Sequence, residues 1–321
     1  MKCKFEKAFR GGYYKCPHDA ESGGDYCFWH KEEDGKDLKG KDLKGENLAD
    51  AYLRKADFRN ANLENANFIG ANLEYANFIE ANLKNAILYG THLASADFGW
   101  ANLENANLGW TWCRYVSFYG ADLRNVNLHG AKIENSLNLQ YAKLDEDHIV
   151  INERDGDKEK NNDKKLEKYS EASDVYITLK NYFRKVGRYD RSGKYFIGEW
   201  RVRGKKYKLK KNYPSWLINR FLDHFSRYGE SPQRVFALSI LFVFVLGLVY
   251  WHLGAIVNSS DPSKTVSLPE SLHFSVVTFT TLGYGDYYPK QSFQFLADLE
   301  AFSGMFIMAF FVVTVARKIM R

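Results

Sequence analysis

An apolar residue recurs at every fifth position from Leu38 to Ile133. Read in fives, the run begins KDLKG, KDLKG, ENLAD, AYLRK, ADFRN, ANLEN and continues to ADLRN, VNLHG and AKIEN. This makes 20 unbroken units, with Cys113 as the one thiol in the series. A small residue, usually Ala, stands two places before the apolar one in most units, from Ala51 onward. A period of five fits neither the 3.6 residues of an α-helix nor the two of a strand. It does fit a chain that turns a corner once per unit. The large side chain then fills an interior and the Ala packs beneath the corner. Self-similarity at a short fixed period is the mark of a repeat architecture, in which each unit contacts mainly its neighbours.

These units resemble the pentapeptide-repeat family, and the resemblance covers about a hundred residues. It implies a right-handed quadrilateral β-helix with four units per coil. Twenty units then make five coils, a column roughly 24 Å tall at the ~4.8 Å spacing between strands. Asn62, Asn82 and Asn102 are spaced so that they stack on one face, which reads as a stabilising amide ladder. The register breaks at Ser136, Leu137 and Asn138, and Ala142-Lys143-Leu144 can add one shifted unit. Some members of the family act as DNA mimics, a role that needs a strongly acidic surface. Residues 36–135 hold 11 Lys/Arg against 12 Asp/Glu, so the column reads instead as a scaffold or sensor.

Ahead of the repeats, residues 1–35 carry Cys3, Cys16, Cys27 and His30. Three thiolates and an imidazole satisfy a tetrahedral zinc ion, and His18 could replace one ligand. The segment is too short to bury much of a core, so a structural zinc would account for its folding. The N-terminus is polar throughout, with no secretory signal visible, which favours metal or free thiols over disulfides.

Residues 151–230 hold 21 Lys/Arg against 12 Asp/Glu, an excess of +9 just before the first long apolar run. Such a basic segment reads as a cytoplasmic, membrane-facing region. Nucleic acid is the competing partner for this charge. No nucleic-acid motif accompanies it, and none is expected as a partner. Residues 152–168 are charged and almost free of apolar residues, which marks a linker. Beyond them, Val175, Leu179, Tyr182 or Phe183, and Val186 lie at helical spacing, with Gly187 as a stop. A second helix is predicted from about Tyr189 to Arg201, which makes a helical connector. Pro214 opens an amphipathic helix with Leu217, Phe221, Phe225 and Tyr228 on one side, suited to a membrane interface.

Val235 to Val257 is 23 residues without Asp, Glu, Lys or Arg. At 1.5 Å per residue it is ~35 Å long, enough to cross a bilayer core. A second apolar run extends from about Phe293 to Ala316. Arg220, Arg227 and Arg234 precede the first span, and Arg317, Lys318 and Arg321 follow the second. The positive-inside rule then places both termini in the cytoplasm of a multi-pass cell-membrane protein.

Between the spans, Pro269 and Glu270 suit the first turn of a helix ending near Thr280. There follows Thr280-Thr281-Leu282-Gly283-Tyr284-Gly285-Asp286. This segment resembles the selectivity filter of potassium channels. Span, short helix, filter and span together resemble their all-α two-span pore over residues 233–318. The resemblance implies that Thr281, Leu282, Gly283, Tyr284 and Gly285 line potassium sites with oxygens that replace the ion's water. It implies filter support from Thr278, Thr280 and Asp286, a gating hinge at Gly304, and a homotetramer in the lipid bilayer. Glycine at 283 and 285 tolerates backbone angles that a Cβ would resist. Leu282 and the Tyr284 ring are expected to wedge against the pore helix.

Two positions depart from the family pattern. The pore-helix Glu that pairs with the Asp after the filter in some members is here Val277, so Asp286 must rely on His273 or water. Glu300 falls too early in its span to face a cavity and is expected to hydrogen-bond behind the pore helix, the alternative being an exposed charge near the outer interface.

The domains read as 1–35 zinc-binding, 36–150 repeat column, 151–213 linker and connector, and 214–321 interfacial helix and pore. The expected function is a potassium-selective channel subunit whose column serves assembly or gating. The alternative is a membrane-anchored repeat scaffold with a silent or non-selective cation pore. No catalytic pair or cofactor loop points to an enzyme.

Overall fold

The computed structural model describes residues 2–319, except positions 3, 5, 10, 11, 17–20, 22–25, 134 and 146. Cys3 and His18 are among the positions outside the described residues. Two compact units divide the chain, Met1–Tyr213 and Pro214–Arg321.

In the first unit the repeats coil as their period demands. Residues twenty apart pair in parallel, as with Asp57 and Asn77, Asn77 and Asp97, and Asp97 and Ser117. Each pairing uses two main-chain bonds. The Phe58 N–H donates to the Asn77 carbonyl (2.7 Å) and the Asn77 N–H to the Ala56 carbonyl (2.9 Å). The corners close locally, the Ala61 N–H reaching the Phe58 carbonyl at 3.0 Å. The residue between is left-handed, with φ 58° at Asn60, 60° at Asn65 and 69° at Gly70. Asn and Gly adopt that conformation at least cost, which explains their recurrence at the fifth place.

The interior is a stack of identical positions. Phe58, Phe78 and Phe98 are fully buried, and their rings stack at 4.8 and 4.7 Å. Burying one such side chain contributes about 1.5–3 kcal/mol, so the column is stabilised by repetition of one contact. The amide ladder is present. Asn62 donates to Asp42 (2.8 Å), Asn82 to Asn62 (3.1 Å) and Asn102 to Asn82 (3.3 Å). The shifted unit is present as well. Asp122 pairs with Lys143 rather than with the residue twenty places on, and the extra residue is taken up near Asn138, whose φ is 62°.

The segment expected as a charged linker is helical. Helix α1 spans Ile151–Lys158, and α2 begins at Asn162 and runs to Lys185. What holds α1 is polar rather than apolar. Glu153 is buried, accepts from the Tyr176 hydroxyl at 2.5 Å and pairs with Lys205 at 2.8 Å. Asp157 accepts from Tyr169 at 2.7 Å and pairs with Lys205 at 2.7 Å. These partners lie far off in sequence, so composition alone reads the segment as disordered.

Helix α2 stops as expected, with Gly187 at φ 74°. Helix α3, Tyr189–Leu209, runs eight residues beyond the expected end. The hairpin closes the last coil of the column. Tyr182 accepts from the Leu139 N–H (3.1 Å) and donates to Gln140 (2.7 Å).

The second unit holds helices α4 (Tyr213–Ser226), α5 (Pro232–His252), α6 (Leu268–Phe279) and α7 (Gln294–Ile319). Leu217 and Phe221 on α4 are exposed. Tyr228, expected on the same face, lies past the end of α4. It is buried, its hydroxyl donating to Asn219 at 3.0 Å. Helix α5 and the run Gln291–Ile319 are long and apolar enough to cross a membrane.

Candidate functional site

Helix α6 sits between α5 and α7, and the loop that leaves its end is the candidate site. Ser267 caps the helix and Glu270 returns the contact, a reciprocal capping box that satisfies main-chain donors at the helix start. The Ser267 N–H and hydroxyl both donate to Glu270 at 2.7 Å. Lys264 (2.9 Å) and the Tyr287 hydroxyl (3.0 Å) converge on the same carboxylate. The Ser267 N–H, then its hydroxyl, then Lys264 and Tyr287 hold the Glu270 carboxyl down to about 2.

Two glycines allow the helices to approach. A Cβ on Gly247 of α5 would lie 2.6 Å from Leu272 of α6. A Cβ on Gly304 of α7 would lie 2.0 Å from the carbonyl oxygen of Phe279, the last residue of α6. Glycine at 304 is therefore required for packing. Behind the helix, Glu300 is fully buried and its carboxylate accepts from the Tyr250 hydroxyl at 2.8 Å. Its other oxygen is hydrogen-bonded to the Ser275 hydroxyl, which also reaches the Val243 carbonyl at 2.9 Å. Glu300 thus ties α5, α6 and α7 together and is hydrogen-bonded rather than exposed.

The chain then leaves helical geometry. Thr281 donates its N–H to Thr278 (3.1 Å) and Leu282 to Val277 (3.0 Å). Thr281 has φ 58°, Gly283 60° and Gly285 75°. The glycines hold such angles freely. The β-branched Thr281 does so at a cost of about 1–3 kcal/mol. Its hydroxyl donates to the Thr280 carbonyl at 2.7 Å.

The far end of the loop is pinned from two sides. His273 of α6 lies 2.9 Å from Asp286, the substitute partner expected where Val277 replaces a carboxylate. Ser259 donates its hydroxyl to the Gly285 carbonyl (2.6 Å) and its N–H to the Asp286 carbonyl (2.9 Å). Strands β1 (Ile256–Asn258) and β2 (Tyr287–Pro289) pair antiparallel just beyond, fixing both chain segments. The Tyr284 ring stacks on His273 of α6 at 6.0 Å and is otherwise exposed in the single chain. Leu282 is exposed in the single chain. Ser259 and the partners of Glu300 carried no sequence signal, because nothing periodic links them to the loop.

The candidate metal ligands are brought together in part. Cys16, Cys27 and His30 are buried, and their ligand atoms all lie within 4.8 Å of one another. Cys113, by contrast, faces the column interior, where burial pushes its thiol up to about 11.

Comparison with known proteins agrees with both halves. Residues 238–321 match the ion-channel family, described as "ion channel". Residues 37–137 match pentapeptide repeats through a series of overlapping segments. The chain thus joins a segment that matches pentapeptide repeats to a C-terminal segment that matches an ion-channel domain. Similar solved structures include HetL, a pentapeptide repeat protein involved in heterocyst differentiation regulation from the cyanobacterium Nostoc sp. strain PCC 7120. It shares 30% identity over 36% of this chain and 62% of its own length, with a TM-score of 0.32. The pentapeptide repeat protein Rfr23 from the cyanobacterium Cyanothece 51142 shares 28% identity over 35% of this chain and 86% of its own, with a TM-score of 0.25. A third, from the Arabidopsis thaliana thylakoid lumen, shares 30% identity over 29% of this chain and 68% of its own, with a TM-score of 0.17. No curated protein matches the chain.

Proposed function

We propose that four copies of this chain form a potassium-selective pore in the cell membrane, with the repeat column on the cytoplasmic side for assembly or gating. The observation that carries the reading is the loop 281–285, held between two apolar helices at the end of a capped helix and pinned by Asp286 and Ser259. A dehydrated potassium ion needs a cage of oxygens, and a ring of four such loops supplies one. Thr281, Leu282, Gly283, Tyr284 and Gly285 provide the main-chain oxygens, with the Thr281 hydroxyl adding another. Thr278 and Thr280 accept and cap where α6 unwinds, and Asp286 anchors the outer end. Gly304 serves both the packing described above and bending of the inner helix. Irregular backbone at membrane depth is tolerated because protein surrounds it. The positive-inside distribution supports cytoplasmic termini.

The cluster of Cys16, Cys27 and His30 holds zinc in this reading, with Cys3 the fourth ligand from the sequence.

Flux tests the function. Protein reconstituted in liposomes should pass potassium far faster than sodium, and G283D should abolish the difference. A wild type that passes both ions alike, or none, returns the chain to a membrane-anchored scaffold.

A further inference from the structure

The first coil of a repeat column is an open sheet edge, because no coil lies beneath it to take its main-chain bonds. Here the edge between Ala49 and Tyr52 is covered by the segment that carries the metal cluster. The Tyr52 N–H donates to the Trp29 carbonyl at 2.8 Å. His30 Nε2 lies 3.2 Å from the Ala49 carbonyl oxygen. Lys36 occupies the small-residue place of its unit, two before Leu38, and is 5% exposed. Its ammonium donates to the carbonyls of Tyr52 (2.7 Å), Lys31 (2.9 Å) and Glu33 (3.2 Å). Those three acceptors use all three of its N–H bonds.

The orientation of His30 joins this edge to the cluster. A neutral imidazole carries one ring proton. Placed on Nε2, that proton goes to the Ala49 carbonyl and leaves the Nδ1 lone pair facing the thiols. A carbonyl on the far nitrogen is how a metal-bound histidine is normally held. The separations also fit. A tetrahedral zinc, with bonds of about 2.3 Å to sulfur and about 2.05 Å to nitrogen, sets sulfurs about 3.8 Å apart and sulfur about 3.6 Å from nitrogen. The Cys16 and Cys27 sulfurs are 3.6 Å apart, and Cys27 Sγ lies 3.1 Å from His30 Nδ1. The Cys16 and His30 ligand atoms lie within 4.8 Å, so side-chain adjustment of about an ångström, with the thiols giving up their protons, admits the ion.

We propose that a zinc ion at Cys16, Cys27 and His30 fastens the N-terminal end of the column, holding residues 29–36 against the open edge of the first coil. This rests on the zinc reading above and extends it to a role. Without the ion, His30 and Trp29 lose their fixed positions, and the first coil loses its cover.

Hydrogen exchange on the full-length protein tests the fastening, and metal analysis tests the ion separately. One zinc per chain is expected, and a value far below one removes the ion and the proposal together. With zinc present, chelation under reducing conditions should speed exchange at Gly35, Leu38, Tyr52 and Asp57 at least tenfold. Residues 78–108, two coils further on, should be unchanged. C27S should reproduce that local loss without chelator. Unchanged exchange at the first coil after zinc is stripped overturns the proposal, as does a rise spread evenly along the column.

Discussion

Replacing Gly304 by alanine separates packing from bending. The added Cβ would stand 2.0 Å from the Phe279 carbonyl oxygen and 2.8 Å from its carbon. Ordinary contact begins near 3.4 Å, so α7 must withdraw by about 1.4 Å from the end of α6. The obstacle is main chain, which cannot swing aside as a flexible side chain could. Overpacking of this kind costs about 1–3 kcal/mol, which is about a 5- to 150-fold shift away from the close-packed arrangement. Phe279 immediately precedes Thr280, so the displacement enters the loop at its first residue. Potassium flux in liposomes, normalised to protein, should fall at least fivefold, and the thermal midpoint of the purified protein should fall with it. A residue that acts only as a hinge would slow opening while leaving the midpoint in place. If G304A keeps wild-type flux and midpoint, the close approach of α7 to α6 is not what the glycine provides.

The Glu270 carboxyl gives a pH dependence with a definite sign. Its folded value lies near 2, below the ordinary 4.5, so its stabilisation is present above pH 4.5 and is lost as pH falls toward 2. The difference in thermal midpoint between wild type and E270Q should shrink over that window, and a difference that ignores pH would contradict the capping geometry. Glu300 should tolerate glutamine and not alanine. The Gln oxygen can accept from Tyr250 while its amide donates to Ser275, whose own proton then serves Val243. Alanine leaves the buried Tyr250 hydroxyl unpaired at about 1–3 kcal/mol, readable as a lowered thermal midpoint, and equal loss in both variants would refute the three-helix tie.

The features legible in the sequence share a physical origin. The twenty-residue recurrence that pairs Asp57 with Asn77 and stacks Asn82 on Asn62 is the same contact made repeatedly, so one unit in the sequence announces all of them. The two apolar helices announce themselves by length, and the loop at 280–286 by its glycines. The linker reading failed because α1 is held by Tyr176, Tyr169 and Lys205, which arrive from other helices. Tyr228 leaves the expected face of α4 because it lies past the helix end and turns inward to Asn219.

The order of amino acids alone was enough to set the column's period, the positions of two apolar helices and the composition of the loop between them, because each is written in neighbouring residues. Tertiary structure decided how Ser259 and His273 grip the two ends of Asp286, why residue 304 has no side chain, and what covers the column's first coil. Those contacts join positions with no fixed interval between them, and only the folded chain brings such positions within bonding distance.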